Sequence, residues 1–166
     1  MDLVVNVSEN WGIGNGGDQL VYISADLKRF RQLTTGKTVI LGRKTLATFP
    51  GGRPLKNRTN MILSGSVTEI EGAEVFPDLN SLLAHLKDLD SEQISVIGGA
   101  SVYQALLPYC QKAYITKTYG EYAADTFFPN LDEMENWEVV NTGELLEENG
   151  VKFQYIDYVN RNPKSL

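Results

Sequence analysis

Val39-Ile40-Leu41-Gly42-Arg43-Lys44-Thr45 passes from strand to helix across a single glycine. Its first three residues are apolar without alternation, which suits a strand buried on both faces of a sheet. Residues 43–48 then take helical character and stop before Phe49-Pro50-Gly51-Gly52. The same turn recurs where Val96-Ile97 enters Gly98-Gly99-Ala100-Ser101-Val102-Tyr103. Outward from these two turns, strand-like runs fall at 3–7, 38–41, 60–63, 73–76, 94–97, 113–118, 137–141 and 152–159. Helical runs fall at 25–33, 43–48, 79–89 and 101–107, the last stopped by Pro108. This alternation predicts an α/β fold with a mostly parallel central sheet of about eight strands flanked by helices. The last two strands have no helix between them, and Glu147-Glu148-Asn149-Gly150 supplies a turn, so the end reads as an antiparallel hairpin. No repeat or low-complexity linker divides the chain, and residues 1–166 are expected to form one domain.

The 166 residues are enough to enclose a core, and 42% apolar content argues against a disordered chain. A net charge of −6 argues against a general nucleic-acid binder. One cysteine, Cys110, and one histidine, His85, leave no disulfide framework and no Cys/His zinc site. That inventory fits a reducing, cytoplasmic compartment. No apolar run approaches the roughly 18 residues of a membrane span. Met1-Asp2 leads into a strand without the basic and apolar regions of a signal peptide. In the helix at 79–89, Leu79, Leu82, Leu83, Leu86 and Leu89 share one face, and His85 reads as a surface residue.

The helix at 25–33 places a carboxylate where apolar groups are expected. Asp26, Phe30 and Leu33 fall at i, i+4 and i+7 and share a face, while Lys28, Arg29, Arg31 and Gln32 point elsewhere. Burying an ionised carboxylate is costly unless something polar or cationic meets it, and a ligand is one candidate. The local alternative is an acidic residue favoured by the helix dipole, with Ser24 as N-cap.

Open α/β sheets bind ligands beyond the carboxyl ends of their strands. Three such ends here carry glycine or charge: Gly42-Arg43-Lys44-Thr45, Gly98-Gly99-Ala100-Ser101, and Ser64-Gly65-Ser66 after Ile62-Leu63. A helix N-terminus offers free N–H groups and a positive dipole end to phosphate. Arg43 and Lys44 oppose that dipole, a conflict that an anionic ligand removes. An ordinary strand-to-helix connection would also use glycine for tightness. Gly12-Ile13-Gly14-Asn15-Gly16-Gly17 matches G-x-G-x-x-G literally, but Asp18 to Ile23 separate it from the next helix. In a dinucleotide-binding turn the third glycine lies in the start of the helix. The segment therefore reads as a long, flexible loop of the lid type, with Trp11 as anchor or simple packing.

Several stretches stand in a specific order: Trp11-Gly12-Ile13-Gly14, Ala25-Asp26-Leu27 with Phe30, and Val39 to Thr45. Arg53-Pro54-Leu55 with Arg58, Asn60 to Ser64, Ile97-Gly98-Gly99 with Tyr103, and Asp125-Thr126-Phe127-Phe128-Pro129 follow. Together they resemble the dihydrofolate reductase family in its bacterial form, from the first strand to the last. The resemblance implies NADPH-dependent reduction of dihydrofolate to tetrahydrofolate, by hydride transfer to pterin C6 with protonation of N5, in support of one-carbon metabolism. It implies a cytoplasmic monomer, open to antifolate inhibitors, with no metal, nucleic-acid or membrane partner.

By matched position, Asp26 is the acidic residue that accepts hydrogen bonds from the pterin 2-amino group and N3 side, and Thr116 hydrogen-bonds that residue. Phe30 packs on the pterin and aminobenzoyl portions, and Arg58 pairs with the α-carboxylate of the folate glutamate. Val4, Val5, Leu27, Phe49, Leu55 and Ile97 complete the implied substrate pocket. For NADPH, Arg43 and Ser64 match positions around the 2′-phosphate, with Gly42, Lys44, Thr45, Leu63 and Gly65 beside them. Gly98, Gly99, Ala100, Ser101, Val102 and Tyr103 match the pyrophosphate turn, where family members have a cis Gly-Gly bond. Asn6, Ile13 and Gly14 match positions bracketing the nicotinamide, and Thr126 joins the cofactor set.

The chain departs from the family at one place. Members usually carry Trp-x-x-Pro before the acidic residue, and here that stretch is Val21-Tyr22-Ile23-Ser24. Leu46 also stands where many members have a bulkier residue. Two other functions compete: a reductase of the same fold acting on a riboflavin precursor, and a non-catalytic dinucleotide- or folate-binding protein. Asp26 with Phe30 and Arg58 speaks against the first, because that substrate has no glutamyl carboxylate.

Overall fold

The computed structural model describes residues 1–166 as eleven strands and four α-helices. Six strands form the parallel body: β1 (Asp2–Ser8), β3 (Thr38–Gly42), β4 (Thr59–Leu63), β5 (Ala73–Phe76), β6 (Ile94–Gly98) and β7 (Lys112–Thr118). They lie in the order β7-β1-β6-β3-β4-β5, each pair parallel. The long strand β11 (Val151–Asn160) closes the other side antiparallel to β7. Beyond β11, β9 (Trp137–Thr142) pairs with its second half and β10 (Leu146–Glu148) with its first. Nine strands thus fill eight positions across the sheet. The expected hairpin forms at Asn149-Gly150, both at positive φ, but it joins β10 to β11. The three residues of β10 are too few to give a pattern in the sequence.

Helices cover both faces. Leu82 and Leu86 of α3 (Leu79–Leu86) and Val102, Tyr103 and Leu106 of α4 (Ala100–Leu106) join Leu3, Val5, Val7, Ile40, Met61 and Val96 in one core. On the other face, Val39, Leu41, Ile62 and Ile97 pack with Leu46 of α2 (Arg43–Ala47) and with Phe30 of α1 (Ser24–Thr34). Alternation along β1 therefore sends Leu3, Val5 and Val7 to the first core and Asp2, Val4 and Asn6 toward α1. Burying such side chains stabilises each by roughly 1.5–3 kcal/mol. α3 stops at Leu86, short of the expected 89. No helix is long and apolar enough to cross a membrane.

Two other expectations change. Ser24 is not the N-cap of α1; Ile23 is, with no side-chain bond of its own. The Glu148 carboxylate caps the helix instead, accepting from the N–H of Ser24 at 2.6 Å and of Ala25 at 3.1 Å. The glycine-rich loop is also not wholly irregular. Gly12–Gly14 forms β2, paired antiparallel with β8 (Thr126–Phe127). Trp11, buried, stacks on Phe128 with ring centroids 6.2 Å apart. Cys110 is fully buried next to β7, and burial pushes its thiol up to about 12. His85 is partly exposed, beside Glu74 and against the Phe76 ring.

Candidate active site

A cleft of about 1080 Å³ opens where β1, β3 and β6 end, between α1 on one side and the starts of α2 and α4 on the other. This is the sheet edge at which the strand-to-helix turns were expected to bind a ligand. Asp26, in the first turn of α1, is partly buried against β1 and β7. Its Oδ1 accepts from Thr116 Oγ1 at 2.6 Å, and its Oδ2 accepts from Asn6 Nδ2 at 3.0 Å. Asn6 and Thr116 are register partners on adjacent strands, so their side chains leave the sheet together. Desolvation pushes the Asp26 carboxyl above the ordinary carboxylate value, outweighing the two hydrogen bonds and the more distant charge of Arg29.

Farther along α1, Phe30 packs on the second core, as do Phe49 and Leu55, and Leu27 is exposed on the cleft. Arg58 is held by Nε to the Lys56 carbonyl at 2.9 Å and by Nη1 to Thr34 Oγ1 at 3.4 Å. Burial first, and the neighbouring Arg31 second, lower its proton affinity. Arg31 and Arg58 both line the cleft, and their like charges favour an anion there. Arg31 points away from the Asp26–Phe30 stripe on the helical wheel, which cannot show that the cleft extends that far.

At the other end, α2 and α4 begin at Gly42 and Gly99 with no side-chain cap on either. By contrast α3, away from the cleft, is capped by Asp78. The Gly98-Gly99 bond is cis, as the family resemblance implied. A Cβ on Gly99 would come within 3.0 Å of Thr45 Oγ1, and Gly98 sits at φ +133, so only glycine fits the close approach of the two turns. Arg43 is exposed and donates from Nη1 to Ser66 Oγ at 3.3 Å. Val4, Val5, Ile13, Gly14, Lys44, Leu63, Ile97, Ala100, Ser101, Val102, Tyr103 and Thr126 also line the cleft.

Ser64 and Gly65 do not line it. Ser64 is buried at the end of β4, its N–H donating to Phe76 O at 2.9 Å and its hydroxyl 3.3 Å from that of Ser66. The residue that meets Arg43 is Ser66, which the sequence offered only as the end of a polar turn. The glycine-rich loop is tied at its near end, where Gly16 N–H donates to Asp125 at 3.0 Å and Asn15 Nδ2 to Ala123 O at 2.9 Å. Val21 and Tyr22 line the cleft in place of the family's tryptophan, and the Tyr22 hydroxyl donates to Asp18 within the same loop.

The family model for dihydrofolate reductase matches residues 1–160. The chain belongs to the dihydrofolate reductase family. It is 40% identical over 137 residues to the dihydrofolate reductase of Haemophilus influenzae, covering 82% of each chain. It is 35% identical over 155 residues to that of Bacillus subtilis, covering 90% of this chain and 88% of the relative. A solved dihydrofolate reductase from Enterococcus faecalis, complexed with NADP(H) and RAB-propyl, superposes with a TM-score of 0.84. It is 29% identical, and the match covers 96% of this chain and 95% of that one. The enzyme catalyses NADPH-dependent reduction of dihydrofolate to tetrahydrofolate. The uncapped starts of α2 and α4, the glycine cradle beside Thr45 and the cations Arg43 and Lys44 fit the phosphates of NADPH.

Proposed function

We propose that Asp26 is the residue on which the reaction turns, receiving the 2-amino group and N3 side of the pterin on its carboxylate. The observation that carries this reading is the carboxylate's half-filled hydrogen bonding. Thr116 fills one acceptor site on Oδ1 and Asn6 one on Oδ2, while each oxygen can accept two. Asp26 lines the cleft, so the remaining capacity is open to a ligand that presents two donors. An amino-substituted heterocycle of the antifolate kind would meet the same acceptors. Phe30 covers the ring system, and Arg58, beside Arg31, pairs with a carboxylate of the glutamyl tail.

NADPH supplies the hydride when bound. Arg43 beside Ser66 reads its 2′-phosphate, and Lys44 with the starts of α2 and α4 holds its other phosphates. Val4, Val5, Ile13 and Ile97 keep water from the reacting ring edge. Asp26 acts by charge, favouring the protonated pterin while water delivers the proton to N5. The same reading takes residues 1–166 as one domain working as a cytoplasmic monomer. A cleft built from one chain and a single buried cysteine support it.

Asp26→Asn tests the assignment. Dihydrofolate-dependent NADPH oxidation at neutral pH should fall by about a hundredfold or more, with NADPH affinity nearly unchanged. Turnover equal to that of the unaltered enzyme would refute the role.

A further inference from the structure

Asn6 does something in this site that its neighbours on β1 do not. Val4 and Asn6 both face α1, but Asn6 alone brings a polar group to Asp26. Its other end is also occupied: Thr118 Oγ1 donates to Asn6 Oδ1 at 2.6 Å. Thr118 is 1% exposed, two residues beyond Thr116 on the same face of β7. A hydroxyl has one proton to give, and this one goes to Oδ1. The ionised carboxylate can only accept, so it takes the NH2 side of the amide, and the carbonyl is left to receive the Thr118 proton. A run of hydrogen bonds, Thr118 to Asn6 to Asp26, meets the bond from Thr116 on the carboxylate's other oxygen.

We propose that Asn6, held by Thr118, is a positioning residue for Asp26: it fixes the plane of the carboxylate and lowers the cost of its ionised form. The inference rests on the reading of Asp26 given above. An unheld carboxylate can rotate about its own bond, and its open acceptor sites then miss a planar pair of donors. With one oxygen on Thr116 and the other on Asn6, rotation breaks a bond in either direction. Because both partners donate, both favour the charged form and oppose the desolvation that disfavours it. No other group facing Asp26 bonds its carboxylate, and only Arg29 favours the ionised form, by charge from a distance. Arg29, one turn along α1, turns to β11, with its guanidinium 3.9 Å from the Tyr155 ring centroid and 3.4 Å from Asp157. Tyr155 faces Asp26 from β11 without a hydrogen bond to it, and Tyr103 of α4 donates its hydroxyl to Val4 O at 2.6 Å.

Thr118 has no such role legible in the sequence; it becomes one only when register sets it beside Asn6. The experiment is carbon NMR of the ligand-free enzyme labelled at aspartate carboxyls, with the Asp26 signal assigned by its loss in Asp26→Asn. In Asn6→Ala the titration midpoint of Asp26 should rise by about one unit, and the pH profile of turnover should move with it. Thr118→Val leaves the amide free to turn and should give a smaller rise, and Thr118→Ser should restore the original midpoint. An unmoved midpoint in folded Asn6→Ala overturns the proposal. If that variant does not fold, an unmoved midpoint in Thr118→Val overturns it. Full turnover in Asp26→Asn would remove the catalytic reading of Asp26 instead, a result independent of the titration.

Discussion

Glu148→Ala removes a cap that reaches α1 from the other end of the chain. In the folded protein the Glu148 carboxylate takes the N–H groups of Ser24 and Ala25, and no nearer side chain offers an alternative. Loss of a side-chain cap costs about 1 kcal/mol, within a range of roughly 0.5–2. The charge on the acceptor raises the figure, and partial exposure at the hairpin lowers it. About 1–1.5 kcal/mol is the net expectation, a fall in Tm of roughly 2–5 °C for a chain of this size. Glu148→Gln keeps an acceptor without the charge and should lose about half as much. Thermal unfolding followed by circular dichroism measures both. NADPH affinity should hold, because the cap lies away from α2 and α4, while kcat falls modestly through loosening of the turn that carries Asp26. A Tm for Glu148→Ala equal to that of the unaltered protein would refute the capping argument.

Arg43→Ala should weaken NADPH about tenfold while barely changing NADH, since an exposed charge-assisted contact lies near the low end of roughly 1.5–3 kcal/mol; equal losses for both cofactors would show that Arg43 does not read the 2′-phosphate. Gly12→Ala should destabilise by roughly 1–3 kcal/mol in denaturant unfolding. Its new Cβ would lie 2.6 Å from Ala124 Cβ and 2.8 Å from Ser8 Oγ, and unchanged stability would mean the β2–β8 ribbon is free to move aside. The raised proton affinity of Asp26 gives a pH dependence of definite sign. The folded state holds that proton more tightly than the unfolded state, so the contribution is present below the ordinary carboxylate value and is lost as pH rises through the folded one. Stability relative to Asp26→Asn should therefore decline from about pH 4 toward neutrality, and a flat difference would contradict the burial argument.

The central strands β3, β4 and β6 were legible because each holds a short, continuous apolar run that ends at a glycine or polar turn, and burial on both faces demands that composition. The position of Asp26 on an inward stripe was legible for the same local reason. What escaped was set by distance along the chain. The cap on α1 comes from a residue 124 positions away, a partner that no window around Ser24 contains. Gly12–Gly14 has no strand propensity, and it pairs only because Thr126–Phe127 is brought alongside by the packing of Trp11 on Phe128. Thr118 and Arg31 belong to the cleft through register and helix placement, which residue type alone does not encode.

Cys110, fully buried with its thiol pushed up to about 12, makes the folded enzyme nearly blind to thiol reagents. Burial both disfavours the thiolate and screens the sulfur from reagent. Once the chain opens, the same group becomes an ordinary accessible thiol. With no second cysteine to compete, the pace of labelling counts the excursions of the native state. The molecule thus carries its own clock for opening, one that ligands should slow in proportion to how firmly they hold the closed form.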